Sequence, residues 1–235
     1  MKLIDLKLLE QAPLTVEGRL VDASNATLYG SLAISTEEKI AVVYKPIAGE
    51  RPLWDFPDGN LAGREVAAYQ VSRMLGFDCV PPTVLRDGPF GPGAVQQWIE
   101  IDESIDLIAL GQSDEPLIRE MALFDAVINN TDRKFGHLLP TSDGRVYGCD
   151  HGVTFHVEDK LRTVIWQFAG QVLRTNEADS LVKLTDAIAT TGARLLSQFL
   201  TESEIAALRE RIERLLRDGF PYPSQEWPAV PWPPV

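Results

Sequence analysis

The sequence predicts an α+β fold of two lobes, the first β-rich and the second mostly helical, meeting near residue 100. Three observations predict it. Up to that point, apolar runs rich in β-branched and aromatic residues alternate with short polar clusters, the pattern of antiparallel strands. Beyond the acidic stretch 102–115, apolar residues recur at helical spacing instead. Within this second part, residues 129–152, NNTDRKFGHLLPTSDGRVYGCDHG, gather carboxylates and imidazole in and beside a small hairpin.

The first strands are expected over 16–21 (VEGRLV), 26–34 (ATLYGSLAI) and 40–45 (IAVVYK), a meander with Asp/Ser/Asn and Thr/Glu/Glu clusters between them. A loop rich in Pro, Gly and Asp covers 46–60. An amphipathic helix follows over about 61–75, with Val66, Ala67, Tyr69, Val71 and Met74 available for its buried side and Gly76 as its C-cap. Val84-Leu85 and 94–99 (AVQQWI) read as two more strands around the turn RDGPFGPG. These elements make up a lobe of residues 1–100.

In the second lobe, 101–235, Leu117, Ile118, Met121, Phe124 and Ile128 mark a helix leading into the hairpin segment. A helix from about Glu177 to Leu200 and a last one from Glu202 to about Arg217 come after it. The last opens with Thr201-Glu-Ser-Glu204, a capping box, and carries the stripe Ile205, Leu208, Ile212, Leu215. The tail WPAVPWPPV is too rich in proline for a helix. It is expected to run extended, with Trp227 and Trp232 either packed on the body or left as a loose end.

Composition narrows the function classes. The formal charge of −12 and pI near 4.7 provide no basic footprint for displacing phosphate counterions, so a nucleic-acid partner is not expected. The same balance disfavours stable association with anionic membranes. Cys79 and Cys149 are far apart and outside any Cys-x-x-Cys spacing, which excludes a disulfide scaffold or a structural zinc site. The first residues, MKLIDLKLLEQAP, interrupt their apolar run with acids and do not read as a signal peptide. A cytoplasmic location is expected.

The polar residues match the needs of phosphoryl transfer, and in the right order. Lys45 closes the apolar strand AVVYK, from where a side chain can reach a cleft while the backbone stays in the sheet. Glu65, in REVAAY of the following helix, can hold that lysine; in isolation the two read equally as a solvated lysine and a surface glutamate. Asp132 lies in a loop between a helix and a short strand, 136–139, suited to orienting a hydroxyl. Asp150 ends the strand 145–149 just before Gly152, suited to holding a metal, and His137 projects from the partner strand toward the same ion. Singly, these are a helix cap, a turn residue and a structural histidine. The loop 22–27, with Ser24 and Asn25, either covers phosphates or is an ordinary hairpin turn.

On VVYKP, REVAAY, NNTDRKFGHLL and YGCDHG, the chain resembles the phosphatidylinositol 3- and 4-kinase-like branch of the protein-kinase-like fold. Within that branch it is similar to an actinobacterial kinase-like family. The resemblance runs from about Val16 to Trp166. It is specific at the catalytic loop, where Asp132 and Arg133 match Asp-Arg-x-x-x-Asn and Asp150 and Gly152 match Asp-x-Gly. The resemblance implies ATP and Mg2+ or Mn2+ as cofactors, Asp132, Arg133 and Lys45 as catalytic residues, and Asp150 and His137 as metal ligands. It also implies a hinge over 96–99, with Gln97, Trp98 and Ile99 beside the adenine.

Two departures stand out: His137 replaces the asparagine for the second metal, and His151 occupies the middle of Asp-x-Gly. Lys160 and Arg162, in the segment that selects the substrate, either meet an anionic group or pair with Glu158 and Asp159. The long basic loop of lipid kinases is absent, which favours a hydroxyl on a soluble metabolite or protein as acceptor. Three functional readings stay open: a kinase-like phosphotransferase, a nucleotide-binding pseudokinase, and an AMP transferase on the same fold.

Overall fold

In the computed structural model, residues 3–20 and 25–235 are described. Helix α1 (Leu6–Gln11), capped by the Asp5 carboxylate, precedes strands β1 (Leu14–Arg19), β2 (Leu28–Ala33) and β3 (Lys39–Pro46). Helix α2 (Leu61–Leu75) and the hairpin β4 (Thr83–Gly88) and β5 (Gly91–Gln97) complete a five-stranded antiparallel sheet of order β1-β2-β3-β5-β4. Strand alternation divides its faces. Leu32, Val42, Tyr44, Val84 and Val95 form a core with Ile4 and Leu9 of the α1 segment, while Ala94 packs with Ala62 and Val66 of α2.

The strands run slightly differently from the sequence expectation. Pairing continues to Gly88 and Gly91, so the expected turn RDGPFGPG shrinks to Pro89 and Phe90. Gly91, at φ 90°, tolerates that reversal, and the Tyr44 hydroxyl donates to its carbonyl. Gly93 allows β3 to approach, because a Cβ there would meet Pro46 Cα at 2.7 Å. Helix α2 spans the expected residues, with Gly76 closing it at φ 76°. Helix α1 had no periodic signal over so few residues.

The second lobe begins with α3 (Leu107–Gly111), inside the stretch expected as a connector, and α4 (Pro116–Ile128). The hairpin β6 (Leu138–Pro140) and β7 (Val146–Gly148) comes next. His137 therefore stands in the 3-10 turn 135–137 before β6, and not in the expected strand. The long helix expected to Leu200 is broken: α5 (Thr175–Ala187) gives way to a π turn at 188–192 and to α6 (Ala193–Leu196). Gly192 lies against Met74, where a Cβ would meet its Sδ at 3.2 Å, so α2 packs into the break. Helix α7 (Glu202–Asp218) carries the expected capping box of Thr201 and Glu204.

One core joins the lobes. Val71 and Leu75 of α2 pack with Met121, Phe124 and Ile128 of α4 and with Leu181, Leu184, Leu208 and Ile212. The tail lies extended on the body: Thr163 N–H and Trp166 Nε1 donate to Ala229 O, and Phe135 N–H donates to Pro234 O. Trp232, by contrast, is exposed. Among the described residues no helix is long and apolar enough to cross a membrane.

Candidate active site

Because β3 buries Val42 and Tyr44 on the α1 side, Lys45 must point to the other face, toward α2. There its Nζ donates to Oε1 of Glu65, in the second turn of α2, and to Oδ1 of Asp150 at 2.8 Å. Glu65 is buried, which discards its reading as a surface glutamate. Burial works against the charge on Lys45, but the two carboxylates outweigh it and raise its pKa above the usual lysine value.

Helix α4 ends with Asn129 in the left-handed conformation (φ 52°), which turns the chain into the loop that carries Asp132. The Asn130 amide then braces that loop, accepting from Asp132 N–H at 3.0 Å and donating to Asp125 at 2.9 Å. Burial raises the pKa of Asp132, opposed by the Lys134 ammonium 3.3 Å from its Oδ2 and reinforced by Asp150. A carboxylate tuned toward neutral pH is a better proton acceptor for a hydroxyl.

Arg133 does not reach the cleft. Fully buried, it forms a bidentate pair with Asp125 at 2.8 and 2.9 Å and donates to the carbonyls of His137 and Cys149. It positions both sides of the site from beneath and touches no space a substrate could enter. Asp125 was not singled out from the sequence. A carboxylate on the apolar stripe of Met121, Phe124 and Ile128 was the signal, since it needs a partner when buried.

Asp150 sits two residues past β7 at φ 59°, a costly conformation for a non-glycine residue. Its carboxylate half faces the cleft, and Lys45 holds its pKa below the ordinary range. His137 Nε2 lies 3.6 Å from its Oδ2, and burial holds that imidazole's pKa down at about 4, leaving it neutral with a lone pair to offer. Among the described residues no three His, Cys, Asp or Glu side chains converge as a preformed metal cage. Asp150 with His137 nevertheless fits an ion whose remaining ligands are phosphate oxygens and water, the usual arrangement for magnesium.

His151 matters more than its place in the motif suggested. It is buried, 2.8 Å from Arg133 Nη2, packed edge-on to Phe124, and its Nδ1 is 4.0 Å from Glu65 Oε2. Arg133 can only donate, so His151 Nε2 accepts and the proton sits on Nδ1, facing Glu65. Burial, then the Arg133 charge, keeps the ring neutral.

The remaining expected residues divide. Asn25 lines the same cavity as Lys45, Asp132 and Asp150, and its side chain accepts from Arg51 N–H at 2.9 Å. Ser24 lies outside the described residues. Trp98 meets Tyr29 of β2 edge-on at 5.3 Å. Ile99 is buried two residues past β5, and its role beside an adenine stays an expectation. The Gln97 side chain is not brought to the others: alternation turns it to the α1 face, where it accepts from Ile4 N–H at 2.9 Å. Lys160 pairs with Asp55 and Glu158 at 3.6 and 3.5 Å and lies against Trp54 and Trp227, so it is not free for an anion. Arg162 lines the cavity.

No protein-family profile matches the chain. Over an alignment of 261 positions, gaps included, it is 40% identical to protein Rv2133c of Mycobacterium tuberculosis, covering 96% of this chain and 93% of that one. The chain belongs to the Rv2133c family. Solved structures show the fold of this chain. The Golgi casein kinase with Mn and ADP bound superposes with a TM-score of 0.62 at 15% identity, over 92% of this chain and 74% of that one. Hydra Fam20 with sugar gives 0.56 at 15% identity, over 91% and 86%. The Helicobacter pylori kinase CtkA gives 0.51 at 12%, over 89% and 94%. This member of the Rv2133c family has a protein-kinase-like fold.

Proposed function

We propose that the protein is an ATP-dependent phosphotransferase of the phosphatidylinositol 3-/4-kinase-like type, acting in the cytoplasm on a hydroxyl of a soluble acceptor. The observation that carries this reading is the convergence of Lys45, Glu65, Asp132 and Asp150 on one cavity of about 410 Å3. Structural pairing alone would not need a lysine held by two carboxylates next to a third.

Lys45 grips the nucleotide's phosphates, released from Asp150 as the triphosphate enters, while Glu65 keeps its ammonium in place. Asp132 accepts the proton of the acceptor hydroxyl. The hydroxyl oxygen forms a bond to the γ-phosphorus as the bond from that phosphorus to the β–γ bridging oxygen breaks, and ADP leaves with the electron pair. Lys134, beside Asp132, offsets charge on the transferred group. Asp150 and His137 would hold Mg2+ or Mn2+, which supplies neutralisation of the phosphate charge.

Incubation with γ-labelled ATP and cell extract tests this. Transfer of label that is abolished in Asp132→Ala and Asp150→Ala supports it; transfer from α-labelled ATP instead means AMP transfer. The second reading, a nucleotide-binding protein without turnover, is favoured by His137 where the resemblance expects asparagine. A nucleotide-induced rise in melting temperature without transfer of either label supports that reading.

A further inference from the structure

We propose that the acceptor is a small hydroxylated molecule bearing a carboxylate or phosphate group, held by Arg162 and Arg51 from the two lobes while its hydroxyl meets Asp132. This rests on the phosphotransfer reading and names its acceptor class.

The chain is acidic, with 34 carboxylate residues against 22 Lys and Arg, so a cation there finds a partner easily. Around the segment after Gly152 the others do. Lys160 is paired with Asp55 and Glu158, and Asp159 holds Arg214 at 2.6 Å and Arg211 at 3.7 Å. Arg162 is the exception. Its Nε is buried without a hydrogen-bond partner, and among the described residues its guanidinium makes no ion pair. Its charge reaches Asp132, a small pull against the burial that raises that carboxyl's pKa. Arg51 enters the cavity from the loop before α2, and only its backbone N–H is engaged by a described residue. Arg162 is half-buried and Arg51 exposed, and both line the cavity, so an anionic ligand finds there two cations that no described carboxylate pairs with.

The surroundings set the ligand's size. The Arg51–Phe56 loop, whose Arg51, Leu53, Asp55 and Phe56 line the cavity, is tied down where Trp54 and Asp55 meet Lys160. An extended peptide acceptor adding to a backbone edge here would find those at 162–164 taken. Arg162 N–H donates to Asn130 O and its carbonyl accepts from Arg133, Val164 N–H donates to Arg133 O, and Thr163 N–H donates to the chain's own Ala229 O. What remains is a compartment of about 410 Å3 shared with the triphosphate, which suits a small molecule.

Calorimetric titration of the full chain, saturated with ADP and Mg2+, decides it with matched probes: glycerol 3-phosphate, glycerate and glycerol. One of the two anions is expected to bind at least about tenfold tighter than glycerol. The anion that binds identifies phosphate or carboxylate as the group. Arg162→Gln is expected to weaken that anion about tenfold to a hundredfold and leave ADP affinity unchanged. Equal response to all three probes overturns the proposal. So does an Arg162→Gln variant that loses ADP and not the anion, since Arg162 then serves the nucleotide's own phosphates. Arg162-dependent binding of an acidic serine peptide tighter than either anion overturns the small-molecule assignment. If wild type binds no ADP, the phosphotransfer reading fails on its own; titration without ADP then supports the anion site or overturns it.

Discussion

Arg133→Met removes one partner from a pair in which both side chains are fully buried. The Asp125 carboxylate is left without its guanidinium, the carbonyls of His137 and Cys149 lose a donor, and His151 Nε2 loses its partner at 2.8 Å. Stranding one member of a buried ion pair costs about 3–5 kcal/mol. At this chain length each kcal/mol lowers the melting midpoint by about 2–4 °C, so a fall of roughly 6–20 °C is expected by thermal denaturation. Adding Asp125→Asn removes the stranded charge and is expected to recover about 1–3 kcal/mol, a coupling that a double-mutant cycle reads directly. A fall below about 2 °C, or single effects that simply add, would refute the view that this pair holds the Asp132 loop to the hairpin.

Three further outcomes follow from the geometry. Burial pushes both thiols, Cys79 and Cys149, up to about 12, so iodoacetamide at pH 8 is expected to leave the native protein unlabelled and to label both in urea; rapid native labelling contradicts this. His137, held at about 4 against an ordinary 6.5, refuses a proton that the unfolded chain binds between those values. Stability therefore rises with pH across that window and is lost as pH falls toward 4, by on the order of 1–3 kcal/mol; in chelator, urea midpoints at pH 5 and 7 should differ less in His137→Gln, and parallel slopes would rule it out. Ser72 Oγ accepts from Cys79 N–H at 2.9 Å and Val80 N–H at 3.3 Å in a buried turn, so Ser72→Ala is expected to cost about 1–3 kcal/mol in urea denaturation, and no loss would mean other acceptors take over.

The legible parts of the sequence were those where one local pattern decides the outcome. Helix α2 ran between an Asn60 cap and Gly76, and α7 between its capping box and Gly219, because caps and stripes act over a few residues. Lys45 and Glu65 were readable as a pair because strand alternation and helix position leave them one shared face. The break at 188–192 was not readable, since it follows from Met74 packing against Gly192, far apart along the chain. The direction of the Gln97 side chain, toward Ile4, is set by strand alternation, which sends neighbouring side chains to opposite faces and flips with a shift of one residue. Asp125 was not singled out, and His151 was read only as a departure inside Asp-x-Gly, because their roles exist only through Arg133, whose burial no local pattern announces. Arg162 separated from Lys160 for the same reason: two aromatic rings and two acids from distant segments claim one cation and leave the other.

The tail has a consequence for the order in which the protein is made. Ala229 and Pro234 receive the N–H groups of Thr163 and Phe135, so the ribosome finishes the outer support of the Asp132 loop nearly a hundred residues after the loop itself. A nascent chain that has emerged only through α7 carries Lys45, Asp132 and Asp150 yet lacks this buttress. Translation stalled there, or a cut by a protease before Trp227, leaves the backbone at Phe135 and Thr163 facing water.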